Sequence, residues 1–357
     1  MFPFFYSIGL TFYKFNIVPL QMAIINSNST CLINIYDDTG KLTDLGTEYY
    51  KVGNTALSQN KFGVVILSGG QGTRLGCSGP KGLFKICDKS LFEHHIDKIK
   101  KLKYSQNVRL FIMTSDHTDE DVVSYFKSNN NFNLDVVFFK QNSLPCTYKD
   151  GSVIKIEDHK VLTAPNGNGD FFKSISKFDL SDLYAINVIS VDNVLAEILN
   201  PEFVGAFIKS KVDCLSKSVT KLPDENVGIF IKNSGKLEIK EYSEIDKDQE
   251  EACEGNICNH LFKTEFVKMM GLKDLPIHKA CKNIPNDIRK AIDRPNETKC
   301  LKSELFIFDC FAFTDKNKIF SVPRWKEFAP LKNGMKSEKD NPETCAQAYR
   351  KKYNKEY

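Results

Sequence analysis

The feature that most constrains the fold is a short apolar run that leads directly into a glycine-rich segment. Phe62–Leu67 is apolar, and Ser68-Gly69-Gly70-Gln71-Gly72 follows at once. A continuous apolar run of this length is typical of a buried parallel strand, because such a strand is covered on both faces. Glycines let the main chain turn sharply and bring its N–H groups close to a bound group. The combination predicts a parallel α/β sheet with a binding loop at the end of a strand.

The rest of the chain alternates strand-like and helix-like segments in the same way. Three further runs have the composition of buried strands: Val108–Met113, Asp135–Phe139 and Ala185–Ser190. Ser90 with Glu93 predicts a capping box at the start of one helix, and Thr118 with Asp121 predicts the start of another. This pattern predicts the α/β class, with a mixed, mainly parallel sheet and helices on both faces.

Turn residues predict antiparallel additions and a terminal helix. Asp150-Gly151 and Asn233-Ser234-Gly235 each lie between β-rich runs, as in hairpins. Asn341-Pro342 combines an N-cap residue with proline at the first helical position. At the other end, residues 1–26 are apolar with one charge, Lys14. A secretory signal or a membrane anchor is an alternative there, but the pattern favours translation from Met22 or packing of this lead against the protein.

Composition limits the class of partner. The 49 basic and 45 acidic residues nearly cancel to a net charge of +4, and no basic tract predicts nucleic-acid binding. The eleven cysteines are odd in number and scattered, which favours reduced thiols in a cytoplasmic protein. Cys253, Cys258 and His260 come nearest to a metal cluster, but their spacing and the lack of a second pair argue against zinc.

Two cations make the glycine segment a predicted phosphate site. Arg74 and Lys81 follow the glycines, and they offer phosphate oxygens a bidentate donor and a mobile point charge. The segment lacks the GxxxxGK[ST] pattern of a Walker loop and matches the Rossmann pattern only loosely. It therefore predicts a phosphate-binding loop of another kind.

The residues of this loop carry a resemblance to a known family. Leu67–Gly76 followed by Pro80-Lys81-Gly82 resembles the signature of the eukaryotic-type UDP-sugar pyrophosphorylases, and Arg74 favours their UDP-N-acetylglucosamine branch. Further similar segments occur in the same order along the chain: Met113–Thr118, Phe138–Cys146, Ala164–Asp170, Ser190–Asn193, Val227–Phe230, Glu241–Ile245, Gly255–Phe262, Phe306–Phe313 and Glu327–Asn333. The sequence departs from the family pattern at five positions of these motifs: Ser68, Lys140, Asn142, Asn166 and Asp170.

The resemblance implies a role for each matching residue. The catalytic cations are Arg74 and Lys81, which stabilise the negative charge that develops on the phosphates. The implied UTP-binding residues are Leu67, Ser68, Gly69, Gly70, Lys81, Gln141, Gly167, Asp192 and Lys302. The implied sugar-phosphate residues are Asn168, Glu241, Tyr242, Asn256 and Lys332. Within these sets Gln141 reads the uracil, Asn256 lies near the N-acetyl group and Asp192 is the ligand of Mg²⁺ or Mn²⁺.

The resemblance also implies the architecture and the reaction. It implies a Rossmann-like, GT-A-like nucleotidyltransferase domain at 62–330, between an N-terminal segment, 1–61, and a short helical segment, 331–357. The expected partners are UTP and N-acetylglucosamine 1-phosphate, without nucleic acid or membrane, and the expected state is a cytoplasmic monomer. The alternatives are a pyrophosphorylase for UDP-glucose, UDP-galactose or several UDP-sugars, and a catalytically silent nucleotide-sugar binding protein.

Overall fold

A computed structural model describes residues 22–25, 29–77, 79–156, 160–241 and 253–353 of the chain. The strands within them, numbered in chain order, are β1 Met22–Ile24, β2 Leu32–Asn34, β3 Lys61–Leu67, β4 Lys85–Ile86, β5 Lys89–Ser90, β6 Val108–Thr114, β7 Val136–Lys140, β8 Ser143–Pro145, β9 Thr163–Pro165, β10 Leu183–Ser190, β11 Cys214–Thr220, β12 Ile229–Asn233, β13 Lys236–Lys240, β14 Glu254–Lys263, β15 His278–Asn283, β16 Lys299–Glu304 and β17 Asn317–Ser321. The α-helices are α1 Asp44–Gln59, α2 Leu91–Lys100, α3 Asp119–Ser128, α4 Phe171–Ile175, α5 Pro201–Ser210, α6 Thr264–Met270, α7 Asn286–Arg289, α8 Arg324–Glu327 and α9 Pro342–Tyr353.

The main sheet has the predicted mixed, mainly parallel character. Its principal path runs β2-β17-β11-β14-β10-β3-β6-β7, and β12 joins β14 and carries β1 and β13. Every pair along the path is parallel except the two made by β14, which runs antiparallel to β10 and β11. The four strands predicted from apolar runs are the adjacent strands β3, β6, β7 and β10, so that prediction is confirmed.

Helices cover both faces of the sheet, as predicted. In β3, Val64 and Ile66 belong to one hydrophobic core together with residues of α1, α2, α3, α5 and α9. Val65 and Leu67 belong to a second core on the opposite face, together with residues of α4 and α6. Because side chains alternate between faces along a strand, burial of both faces makes the whole strand apolar.

A smaller antiparallel unit, which we call the lobe, is formed by residues 143–156, 160–165 and 278–305. β8 pairs with β9, β15 pairs with β16, and Thr147 bridges to Leu301 to join the two ribbons. The lobe has its own small core, which includes Tyr148 and Ile292. The predicted turn at Asp150-Gly151 lies here, closed by a 2.8 Å hydrogen bond from the N–H of Tyr148 to the carbonyl of Ser152.

The other local predictions are confirmed, including both helix starts. Asn233-Ser234-Gly235 connects β12 to β13, and the side chain of Asn341 caps α9 by accepting from the N–H of Thr344 at 2.9 Å. The capping box of Ser90 and Glu93 is present. Thr118 is the N-cap residue of α3, as predicted, but its side chain makes no capping hydrogen bond to that helix.

The predicted N-terminal segment contributes to the same architecture. β1 pairs with β12 and β2 with β17, while α1 packs against α5 so closely that a Cβ on Gly53 would lie 1.8 Å from the carbonyl oxygen of Pro201. The apolar lead, residues 1–21, lies outside the described residues. Among the residues that are described, no helix combines the length and the apolar character that crossing a membrane requires.

Candidate active site

The segments that follow β3, β6, β7 and β10 meet at one edge of the main sheet. These strands are parallel neighbours, so their carboxyl ends lie side by side, where ligands bind in open α/β sheets. A cavity of about 800 Å³ opens at this edge, and residues of the lobe complete its lining.

Ten of the predicted site residues line this one cavity. They are Leu67, Gly69, Gly70, Arg74, Lys81, Gln141, Gly167, Asn168, Asp192 and Lys302. Ser68, Glu241, Asn256 and Lys332 are not part of its lining, and Tyr242 lies outside the described residues.

The glycine loop brings its two cations back to the same cavity. The N–H of Lys81 donates to the carbonyl of Gly70 at 3.2 Å, and the N–H of Gly72 donates to the carbonyl of Gly79 at 2.9 Å. These bonds close the loop, so Lys81 returns to its beginning. Arg74 lies in a single 3₁₀ turn, Thr73–Leu75, and is exposed at the cavity.

Lys81 also forms an ion pair with Asp192, which follows β10. Lys81 Nζ lies 3.2 Å from Asp192 Oδ2, and the side chains are 20% and 18% exposed. The hydroxyl of Ser190 donates to the other carboxylate oxygen at 2.7 Å. Burial acts to raise the pKa of Asp192, but the charges of Lys81 and Lys332 and the Ser190 hydrogen bond outweigh it and hold the pKa below its usual value. Asp192 is therefore an anion in the cavity.

Gln141 presents an unsatisfied amide oxygen at the cavity. The residue is only 7% exposed, and its main-chain N–H donates to the carbonyl of Thr114 at 3.0 Å. Its Oε1 is buried without a hydrogen-bond partner in the described part of the chain. A Cβ on Gly69 would lie 1.8 Å from Gln141 Nε2, so the amide fits only because residue 69 is a glycine. Since buried polar atoms are rarely left unpaired, this amide is suited to a ligand.

Two hydroxyl groups that the sequence did not identify hold the start of the glycine loop. Ser115 Oγ donates to the carbonyl of Gly69 at 2.8 Å, and Thr118 Oγ1 donates to the carbonyl of Ser68 at 3.2 Å. The N–H of Ser68 donates to Met113, so its main chain is bonded within the fold. The sequence signal for both hydroxyls was the family-like segment Met113–Thr118, which contains them. Thr118 was interpreted only as a helix cap.

The second glycine segment, around Gly167, is fixed against the end of the lobe. Gly167 has φ +93°, and a Cβ there would lie 2.5 Å from the carbonyl oxygen of Leu305. Asn168 Oδ1 accepts from the N–H of Ile307 at 2.9 Å, so half of this amide has a structural partner. Lys302, on β16, reaches the cavity from the lobe.

Three predicted sugar-side residues lie near Asp192 but outside the cavity lining. Lys332 lowers the pKa of Asp192 by its charge, and its Nζ donates to the carbonyl of Asn226 at 3.0 Å. Burial, together with the carboxylates of Asp192 and Glu241, raises the pKa of Cys258 to about 12. Asn256 Oδ1 accepts from the N–H of that cysteine at 3.0 Å. Asn256 thus contacts Cys258, and the charges of Glu241 and Asp192 both act on that thiol.

The donor set at the cavity suits a metal ion that takes most of its ligands from substrate. Across the described residues there is no cluster of three or more His, Cys, Asp or Glu side chains that could hold a metal. Asp192 supplies one ionised carboxylate at the cavity. Magnesium is commonly bound through one or two carboxylates together with substrate phosphates and water, so the site fits this ion rather than zinc.

Known proteins are similar to this chain over most of its length. The family model described as UTP–glucose-1-phosphate uridylyltransferase matches residues 33–337, a range that includes all ten predicted residues at the cavity. A protein of Encephalitozoon cuniculi (strain GB-M1) named "Probable UDP-N-acetylglucosamine pyrophosphorylase" is 51% identical over 326 residues, which cover 91% of this chain and 96% of that protein.

More distant relatives extend the similarity to solved structures. The UDP-N-acetylglucosamine pyrophosphorylase of Saccharomyces cerevisiae is 34% identical over 339 residues, covering 85% of this chain and 71% of the yeast protein. A similar fold is found in the crystal structure of the uridine diphosphate N-acetylglucosamine pyrophosphorylase from Trypanosoma brucei in complex with inhibitor. The two sequences are 28% identical and the TM-score is 0.77, with 89% of this chain and 71% of that chain covered.

Proposed function

This chain belongs to the UTP–glucose-1-phosphate uridylyltransferase family, and from that membership we propose that it forms UDP-N-acetylglucosamine and pyrophosphate from UTP and N-acetylglucosamine 1-phosphate. The observation that carries the proposal is the meeting of Arg74, Lys81, Asp192 and Gln141 at one cavity. The 51% identity to the Encephalitozoon protein supports N-acetylglucosamine as the sugar.

The chemistry requires positioning and charge neutralisation rather than proton transfer. A sugar 1-phosphate is already an anionic nucleophile, and its oxygen attacks the α-phosphorus of UTP in line with the departing pyrophosphate. The principal barrier is the approach of two polyanions, which fixed positive groups in a partly enclosed site lower. Arg74 and Lys81 are positive groups at this cavity. The hydrogen bonds that close the glycine loop fix the main chain from which both side chains extend.

We propose that Gln141 reads the base. Uracil presents an N–H donor next to a carbonyl acceptor, and a primary amide offers the complementary pair. The unpartnered Oε1 of Gln141 would accept from the uracil N–H, while Nε2 would donate to the carbonyl. Gly69 makes this possible because it leaves space for the amide.

We propose that Asp192 would hold a magnesium ion at the cavity, together with phosphate oxygens of the substrates. When bound, the ion neutralises phosphate charge and orients the phosphates. Lys302 and Lys332 would add positive charge near the phosphates. A substitution of Asp192 by asparagine should raise the magnesium concentration needed for half-maximal activity, as measured by a metal titration of the turnover rate.

On the sugar side, we propose that Glu241 and Tyr242 bind the sugar hydroxyls and that Asn256 contacts the N-acetyl group. We further propose a monomer located in the cytoplasm. Support for that location comes from the eleven cysteines, all of which are free thiols, as a reducing compartment favours.

The function is tested by measuring pyrophosphate release from UTP with a panel of sugar 1-phosphates. The expected result is magnesium-dependent turnover that is fastest with N-acetylglucosamine 1-phosphate. Faster turnover with glucose 1-phosphate would instead favour a UDP-glucose pyrophosphorylase, the activity that the matching family model describes. Binding of UTP without turnover of any sugar phosphate would indicate a silent nucleotide-binding protein.

A further inference from the structure

A buried carboxylate outside the cavity lining lies directly behind the predicted uracil site. Asp170 precedes α4 and is 1% exposed. Its oxygens accept hydrogen bonds from the N–H of Asn142 at 2.8 Å, from Asn142 Nδ2 at 2.9 Å, from Asn166 Nδ2 at 2.8 Å and from Ser174 Oγ at 2.6 Å. All these partners are neutral. A buried carboxylate is costly unless its acceptor sites are filled, so it holds these donors in place.

The segment held by Asp170 is the one that carries Gln141. Asn142 follows Gln141 directly, and its carbonyl accepts from the N–H of Asn166 at 3.0 Å. Both main-chain groups of Asn142 are therefore bonded to the segment 166–170. On the other side, the N–H of Gln141 is bonded to Thr114 at the end of β6. The main chain of Gln141 is thus fixed from both directions, whereas its side-chain oxygen is left for a ligand.

The same contacts join two loops that line the cavity. Asn166 precedes Gly167, which lines the same cavity as Gln141 and the glycine loop after β3. Asn142, Asn166 and Asp170 are also three of the five positions at which the sequence departs from the family motifs. The structure shows that these three departures contact one another, so we call them the Asp170 clamp.

We propose that Asp170 is a positioning residue for nucleobase selection, acting through Asn142 on the orientation of Gln141; this inference rests on the proposed function. An amide can pair with uracil or, when reversed, with cytosine, whose donor and acceptor are exchanged. Selection of UTP over CTP therefore requires a fixed amide, and the Asp170 clamp fixes the main chain that carries it.

The test is the substitution Asp170→Asn, assayed by steady-state kinetics with UTP and with CTP. Asparagine has too few acceptor sites for the four donors and adds donors of its own. Because hydrogen bonds to a charged group are lost, we expect the KM for UTP to rise on the order of 10-fold or more. The KM for N-acetylglucosamine 1-phosphate should stay within about twofold, and the preference for UTP over CTP should fall.

Two further variants separate positioning from structural support. Asn142 is exposed, so Asn142→Ala removes a clamp bond without disturbing the core, and it should show the same changes in smaller measure. Ser174→Ala is the matched control, because it removes a bond to the same carboxylate from a residue of α4, not from the segment that carries Gln141. It should change neither the UTP/CTP preference nor the KM for UTP. If Asp170→Asn does not fold, the comparison of Asn142→Ala with Ser174→Ala decides the question.

The outcomes are distinguishable from failure of the proposed function, because the unsubstituted protein is assayed first. Absence of turnover by that protein would reject the function. With turnover established, an unchanged UTP/CTP preference in Asn142→Ala and Asp170→Asn would reject the positioning role. Equal effects of Asn142→Ala and Ser174→Ala, or parallel rises in the KM for both substrates with a lowered melting temperature, would show that the clamp only supports the fold.

Discussion

The substitution Gly69→Ala should impair UTP use by displacing Gln141 rather than by unfolding the protein. The added Cβ would lie 1.8 Å from Gln141 Nε2 and 2.9 Å from its Cδ, whereas the next neighbour, the Cβ of Ser115, is 3.5 Å away. The clash is therefore confined to one side chain, and that side chain lies at the cavity, into which it can move.

The size of the effect follows from the distance. Non-bonded heavy atoms pack at about 3.5–4.0 Å, so the amide must move by more than about 1 Å. A displacement of that size breaks a hydrogen bond to the base, and a misplacement of about 1 Å can cost about 10²-fold in rate. We expect kcat/KM for UTP to fall by about 10²-fold. Overpacking costs about 1–3 kcal/mol, and the open cavity favours the lower end.

The assay is a double-mutant cycle with Gln141→Ala, followed by pyrophosphate release. If the alanine acts only through the amide, Gly69→Ala should cause no further loss once Gln141 has been truncated. Gly79→Ala is the matched control, because it adds the same methyl group to the same loop, and a Cβ there would meet no atom within 4 Å. Its kinetics should equal those of the unsubstituted protein.

Two results would refute this reasoning. Near-normal UTP turnover in Gly69→Ala would show that the amide does not need its present position. An additional large loss in the double variant, beyond that of Gln141→Ala, would show that the methyl group blocks the phosphates directly.

Three other substitutions test other parts of the structure. Arg74→Ala should lower turnover by about 10²–10³-fold without changing the melting temperature, because the side chain is exposed; near-normal turnover would contradict its role. Asn256→Ala should lower the rate with N-acetylglucosamine 1-phosphate more than the rate with glucose 1-phosphate, and equal reductions would exclude a contact with the acetyl group. Lys217→Met should lower the free energy of unfolding by about 3–5 kcal/mol in denaturant titrations, because it leaves the buried carboxylate of Glu327 without the ammonium now 2.6 Å away. Adding Glu327→Gln should recover part of that loss, and a single-variant loss below about 1 kcal/mol would contradict the argument.

The sheet was predictable because a strand that is buried on both faces has an apolar sequence. β3 is covered on both faces, so its residues are apolar in sequence, and the glycines after it mark where the chain turns towards the cavity. The strand neighbours β6, β7 and β10 were recognised in the same way. The contact between Lys81 and Asp192, which are 111 residues apart, has no corresponding pattern in the sequence. It was expected only because both residues match motifs of one family.

The omissions at the site have a common physical cause. A hydroxyl before a helix can cap that helix or bond to a neighbouring loop, and the residue type is the same in both cases. Thr118 therefore lies at the start of α3, as predicted, while its hydroxyl bonds to Ser68 instead of to the helix. Likewise, Asn142 and Asp170 looked like separate departures from the family pattern, because only the folded chain brings them within hydrogen-bonding distance.

Because Lys81 forms an ion pair with Asp192, each of these charges has a counterion within the protein. On the proposed reaction, the ammonium of Lys81 would exchange the carboxylate for a phosphate oxygen, and the carboxylate of Asp192 would then be available to hold the cation that accompanies UTP. Lys81 and Asp192 would each replace a partner within the protein by one supplied with the ligand. Both half-buried charges are therefore neutralised before and after the ligand binds. The free protein should therefore fold equally well with and without added magnesium.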